Sequence, residues 1–149
     1  MRLSVAAKPT GLLAVLVLFS ACAGAPPRDP RVPATLTIER FLTAANQNDL
    51  DTMITLFGTR NGSVRSTWSK QEADQRMFLL ASVLRHSDYS IGPEQIVPGR
   101  REEATQFVVR LVMANRTVQV PFQLVWTRNG QWLIENIPVD RITRPGGLR

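Results

Sequence analysis

The sequence predicts an α+β domain in which three N-terminal helices pack on an antiparallel sheet. Three observations carry this reading. Apolar residues recur at helical spacing in three segments before His86, and they alternate with polar ones after it. Two turn positions, read separately, then assign the same residues to one sheet face, and helices on one face of such a sheet make an α+β architecture.

Residues 35–49 (TLTIERFLTAANQND) place Ile38, Phe41, Leu42 and Ala45 at i, i+3, i+4 and i+7, one stripe of a helix. Residues 50–57 predict a second, shorter helix with Leu50, Met53, Ile54 and Phe57 on one side. Asp49 stands where its carboxylate can accept the free N–H groups of that first turn. Residues 58–63 (GTRNGS) read as a loop. The third helix opens on a capping box, Ser69 at the N-cap and Glu72 three residues on, with Trp68 and Ala73 at the staple positions. It is expected to run to about Arg85, burying Ala73, Met77, Leu80, Ala81 and Leu84.

Beyond His86 the pattern has period two. Asn129-Gly130 favours a two-residue type I′ turn, because both residues tolerate positive φ. That turn pairs Trp126 with Leu133, Leu124 with Glu135 and Phe122 with Ile137. A two-residue turn at Asn115-Arg116 pairs Met113 with Val118, Leu111 with Val120, Val109 with Phe122 and Phe107 with Leu124. Both registers collect the large apolar residues on one face. The opposite face is polar apart from Val108, Val125, Trp132 and Ile134, a patch that motivates homodimerisation through that face.

The run Phe41-Leu42-Thr43-Ala44, then Asp49, Met53 and Leu56-Phe57-Gly58, and the closing Gly130-Gln131-Trp132-Leu133-Ile134 resemble the nuclear transport factor 2-like superfamily over residues 35–142. The resemblance implies a cone in which a curved sheet wraps a long helix and often leaves an apolar pocket. That superfamily contains isomerases, dehydratases, binding modules and structural lipoprotein domains, so the fold alone selects no activity.

Ahead of the domain, residues 1–10 carry Arg2 and Lys8 and no acid. Residues 11–21 (GLLAVLVLFSA) are apolar and end in small side chains. These are the parts of a secretory signal. Counted through Ala25, the apolar stretch is 15 residues, short of the about 20 that a spanning helix needs. Phe19-Ser20-Ala21-Cys22 resembles the lipobox of bacterial lipoproteins, with Phe19 where Leu is usual. The resemblance implies cleavage between Ala21 and Cys22, diacylation of the Cys22 thiol and acylation of the new N-terminus. Two or three acyl chains, at about 0.8 kcal/mol per buried methylene, hold a protein on a bilayer permanently. Ala23, where an Asp would signal retention, implies by the same resemblance the outer membrane, facing the periplasm. Residues 23–33 (AGAPPRDPRVP) include four prolines and read as a semi-extended spacer of about 3.1 Å per residue. The expected organisation is a signal peptide at 1–21, lipidated cysteine and spacer at 22–34, the domain at 35–142 and a flexible tail at 143–149.

Without Arg2 and Lys8, sixteen basic residues face twelve acidic ones, a balance of +4. The basic residues are dispersed and not interleaved with aromatics, which argues against nucleic acid. Cys22 is the one cysteine, so no internal disulfide forms. One His and one Cys cannot build a usual zinc site. No Gly-rich phosphate loop opens a helix, and no cofactor is expected.

The two-residue turn at Asn129-Gly130 leaves Glu135 as the carboxylate on the apolar face, where hydrocarbon would favour its neutral form and suit it to acid–base work. The alternative is an ion pair with an Arg from the helices, or a position at the mouth that reaches water. His86 and Tyr89, at the end of the third helix, could join Glu135, or could serve the helix terminus and the start of a strand. No catalytic residue of the superfamily aligns with these positions. The expected function is a lipid-anchored cell-envelope protein presenting a non-enzymatic domain to a protein or an apolar ligand. The alternative is a pocket enzyme of the isomerase or dehydratase kind with Glu135 as general acid or base. The expected partners are bilayer lipid through acylated Cys22, an envelope protein or apolar ligand, and a second copy of the chain.

Overall fold

Apolar spacing, caps and turns set the elements in chain order. The computed structural model describes residues 33–100 and 103–143. Ala21 and Cys22, with the rest of 1–32 and residues 144–149, lie outside them. Helix α1 spans Ala34–Gln47 and buries Ile38, Phe41 and Leu42 completely. Full burial of such a side chain is worth about 1.5–3 kcal/mol. Asn48 ends the helix in the left-handed conformation, φ 54°, and its N–H donates back to the last turn. Helix α2 (Leu50–Leu56) follows at once, its first turn capped by Asp49, whose carboxylate accepts from the Thr52 N–H at 3.1 Å.

The stretch read as a loop contains more order than its composition suggested. Strands β1 (Gly58–Thr59) and β2 (Gly62–Ser63) form a small hairpin, and a 3₁₀ turn covers Val64–Ser66. Helix α3 (Lys70–Leu84) starts where the capping box places it, with Ser69 Oγ accepting from the Glu72 N–H at 3.2 Å. It buries Ala73, Met77, Leu80, Ala81 and Leu84. Strands β3 (Asp88–Ile96), β4 (Ala104–Val112), β5 (Thr117–Trp126) and β6 (Trp132–Asn136) form an antiparallel sheet in that order. The three helices pack on one face of it, enclosing Phe41, Met53, Leu84, Phe122 and Leu124 in one core. The α+β class expected from the pattern is the observed one.

The strand registers differ from expectation in two instructive ways. Leu111 faces Val118 and Phe107 faces Phe122, so β4 and β5 are displaced by two residues. The connection is a four-residue loop, within which the Met113 N–H donates to the Arg116 carbonyl at 2.8 Å. An even displacement keeps every side chain on its face, and Phe107, Val109, Leu111, Val120, Phe122 and Leu124 all enter the core.

The β5–β6 displacement is odd, and it changes the faces. The Thr127 N–H donates to the Gln131 carbonyl at 2.9 Å, so three residues close the turn, with Gly130 at φ +77°. Trp126 therefore faces Trp132, Val125 faces Leu133 and Leu124 faces Ile134. Ile134 and Trp132, expected outside, pack against the core, whereas Leu133 leaves it. Between Leu124 and Gln123 the ladder shifts by one, so that Gln123 faces Asn136. Glu135 is the extra residue of this β-bulge, which restores Ile137 to the core.

The proposed outer patch is corrected accordingly. Val125 and Ile134 are fully buried, on opposite faces, and only Val108 remains a half-buried outward residue of the four besides the core-facing Trp132. The outer face carries instead a ladder of side-chain amides across all four strands. Gln106 donates to Gln95 at 3.0 Å, Gln123 to Gln106 at 3.3 Å and Asn136 to Gln123 at 3.4 Å. Beside it, Ala104, Val125 and Leu133 are register partners that bury a second, small apolar cluster. The β1–β2 hairpin covers it, and an ion pair between Arg60 and Glu103 ties that hairpin to the start of β4.

A fourth helix, α4 (Asp140–Thr143), was not expected. It folds back so that Ile142 enters the main core between α3 and the sheet.

Two substitutions check this packing by denaturant unfolding followed by tryptophan fluorescence. Ser69→Ala removes the α3 cap and should cost about 1 kcal/mol. A methyl group at Gly58 would lie 2.8 Å from Ser63 Cα and 2.9 Å from Leu133 Cδ1. Gly58→Ala should therefore cost about 1–3 kcal/mol through overpacking.

Candidate functional site

Of the three side chains considered for acid–base chemistry, His86 and Tyr89 meet each other, and Glu135 lies apart from both. Glu135 sits on the bulge, where Arg100 donates to both its carboxylate oxygens, at 2.5 and 3.2 Å. This two-pronged pairing raises the Arg100 pKa above its ordinary value, chiefly through the hydrogen bond to Glu135. Both groups retain access to water, Arg100 at 37% and Glu135 at 22% side-chain exposure. The expectation of a carboxylate enclosed by hydrocarbon is thus corrected. The odd register of β6 turns it out of the core face and into an ion pair.

Tyr89 pairs with Leu111, which faces Val118, six residues along β5 from Leu124 and the bulge. At about 3.4 Å per residue that is about 20 Å. Tyr89 stacks edge-on to His86 with ring centroids 5.4 Å apart. Burial is the main cause that raises its phenol pKa, with the nearby carboxylates of Glu39 and Asp88 adding to it.

His86 has a structural task. Its backbone N–H donates to Asn46 Oδ1 at 3.2 Å, and Asn46 Nδ2 donates to the His86 carbonyl at 3.0 Å. The ring is engaged on both sides, Nδ1 lying 2.8 Å from the Leu84 carbonyl and Nε2 3.3 Å from Asn46 Nδ2. With the hydrogen on Nδ1, every one of these groups is satisfied. His86 thereby locks the end of α3 to the end of α1.

Two clefts border α4, and two others, of about 450 and 260 Å³, lie along α1 and α2, with more polar walls that include Glu39, Arg40, Asp49, Asp51 and Arg65. One cleft, of about 350 Å³, runs between α3 and the segment after β6 and is walled by Phe57, Trp68, Met77, Leu80, Val83 and Ile137. Leu79 and Val139 stand on its rim, 66% and 41% exposed, and Phe78 beside Leu79 is 55% exposed. Arg76 lies over the Trp68 ring, 4.5 Å from its centroid, and pairs with Glu72 at 2.9 Å. A second cleft, of about 580 Å³, lies beyond α4 between the end of α3 and the β4–β5 loop. Val83, Met113, Ala114 and Ile142 supply its apolar wall, and Arg85, His86 and Arg116 its polar one. Val83 and Thr143 line both clefts, so the two adjoin at these residues beside α4.

None of the cleft residues apart from His86 was singled out as functional in the sequence. One signal was available. Met77-Phe78-Leu79-Leu80 is a run of four apolar residues in an amphipathic helix, and such a run must turn some of them toward solvent. Among the described residues, no group of three or more His, Cys, Asp or Glu comes together to hold a metal ion.

No family model matches the chain, and no curated protein matches it. Solved structures similar to it include two designed proteins. One, "Rd1NTF2_05 with long sheet", is 18% identical and covers 70% of this chain and 94% of its own, with a TM-score of 0.46. The other, a variant of that protein carrying five substitutions, is 23% identical and covers 70% and 93%, with a TM-score of 0.45. These are likenesses of fold and bring no activity with them.

The Arg100–Glu135 pair is only partly screened from water, which limits its energetic weight. Glu135→Gln should lower stability by less than about 1 kcal/mol and leave the thermal transition as cooperative as before, as read by circular dichroism. A loss of several times that would show that the pair holds β6 in place.

Proposed function

We propose that this chain is a lipid-anchored cell-envelope protein whose α+β domain binds an apolar ligand in the clefts around α4. The observation that carries the ligand reading is the α3 cleft itself, a concave wall of Trp68, Met77, Leu80, Val83 and Ile137 with Leu79 left exposed on its rim. Its volume of about 350 Å³, adjoining a second cleft of about 580 Å³, falls in the range of about 300–1,000 Å³ common for small-molecule sites. Water held against such a wall is released when an apolar ligand replaces it, and this supplies affinity.

The anchor rests on the sequence ahead of the domain. A basic start, an apolar run of 11 residues and Phe19-Ser20-Ala21-Cys22 support export, cleavage before Cys22 and acylation of its thiol. Among the described residues no helix is long and apolar enough to cross a membrane. Ala23 favours the outer membrane facing the periplasm, with the Pro-rich segment as a spacer. The pocket-enzyme alternative lacks support, because Arg100 occupies the carboxylate of Glu135 and the clefts described above are lined without it.

Intact-mass and N-terminal peptide spectrometry of the protein extracted from bacterial membranes tests the anchor. The expected mature chain begins at Cys22 and carries two or three acyl groups on that residue. A chain with an unmodified Cys22 contradicts it.

A further inference from the structure

The two clefts differ in charge, and the difference names a ligand class. In the larger cleft Arg85 and Arg116 are exposed at the mouth, and no acidic side chain lines it among the described residues. Neither guanidinium has an ion-pair partner among the described residues, in contrast to Arg76 of the smaller cleft, which Glu72 and Trp68 engage. Val83, Met113 and Ile142 give the same cleft an apolar wall, and at Val83 and Thr143 it adjoins the smaller cleft lined by Leu79 and Trp68. The nine residue steps from Arg85, just past the end of α3, back to Arg76 span about 14 Å at about 1.5 Å per step. One cationic end and one apolar trough of that length fit a molecule with one anionic head and one tail.

We infer that the clefts take a free single-chain anionic amphiphile of the fatty-acid class, its carboxylate between Arg85 and Arg116 and its chain along α3. The inference rests on the clefts around α4 being the ligand site. Arginine suits the head, because its planar fork donates two parallel hydrogen bonds to a carboxylate and keeps its charge at every physiological pH. The tail gains by leaving water for the wall of Val83, Leu80 and Ile137. A neutral amphiphile of the same length would gain only the second of these, so the head decides selectivity. His86 is excluded from head recognition by its own hydrogen bonds to Leu84 and Asn46.

The test uses the mature acylated chain in phosphatidylcholine nanodiscs, a palmitate analogue bearing a diazirine in its tail, and peptide mapping after photolysis. The expected label falls on peptides containing Val83, Met113 or Ile142, and palmitate displaces it at least ten-fold better than hexadecanol. The double variant Arg85→Gln/Arg116→Gln should abolish that preference, and Arg85→Lys/Arg116→Lys should restore part of it. Both arginines are exposed, so these changes leave the fold in place. Equal displacement by palmitate and hexadecanol would overturn the anionic head while the apolar-site reading stands. A preference that survives the glutamine variant would overturn the assignment to these arginines. Label that neither competitor displaces would overturn the cleft as a ligand site altogether. Loss of labelling when phosphatidylglycerol replaces part of the phosphatidylcholine would show that the occupant is a bilayer headgroup and overturn the free amphiphile.

Discussion

The pairing of the last two strands decides which chemistry this domain can display. At the Asn129-Gly130 turn the chain closes with three residues, because the Thr127 N–H reaches the Gln131 carbonyl and Gly130 adopts φ +77°. That one extra residue inverts Trp132, Leu133 and Ile134 relative to the two-residue alternative. Ile134 enters the main core beside Leu124, and Leu133 joins Ala104 and Val125 in the small cluster beneath the β1–β2 hairpin. The bulge at Glu135 then cancels the inversion, so that Ile137 still points inward. A one-residue bulge is the least disruption that lets both ends of β6 present apolar residues to the core.

Two consequences reach the function. The bulge places the carboxylate of Glu135 against Arg100, away from the apolar face where it could have acted as a base. It also delivers the chain after β6 to the open side of α3, where Pro138 and α4 return Ile142 to the core. The clefts exist because α4 is only four residues long and Ile142 is its one buried side chain. A longer amphipathic helix would cover more of α3, whereas this one leaves Leu79 and Val139 bordering water.

Much of this was legible in the sequence. The spacing of Ile38, Phe41, Leu42 and Ala45, the Ser69 cap and the stripe from Ala73 to Leu84 follow from helical periodicity, and the helices lie within a residue or two of their expected bounds. The β4–β5 faces were legible even though the register moved, because a two-residue displacement leaves them unchanged. The β5–β6 faces were not. Trp132, Leu133 and Ile134 are all apolar, so alternation gives no preference between registers, and Asn-Gly serves a two-residue turn and Gly in a three-residue turn equally well. The clefts were not legible, since Arg85, Arg116 and Ile142 come together only through the end of α3, the β4–β5 loop and a helix too short for any periodicity.

The register of β6 is open to direct measurement by cross-strand nuclear Overhauser effects in the isotope-labelled protein. Residues 127 and 131 form a hydrogen-bonded pair, so the facing residues 126 and 132, and then 124 and 134, bring their Hα atoms close. Strong Hα–Hα effects between Trp126 and Trp132 and between Leu124 and Ile134 are the predicted result. Effects between Trp126 and Leu133 and between Leu124 and Glu135 would contradict it and return the carboxylate to the apolar face.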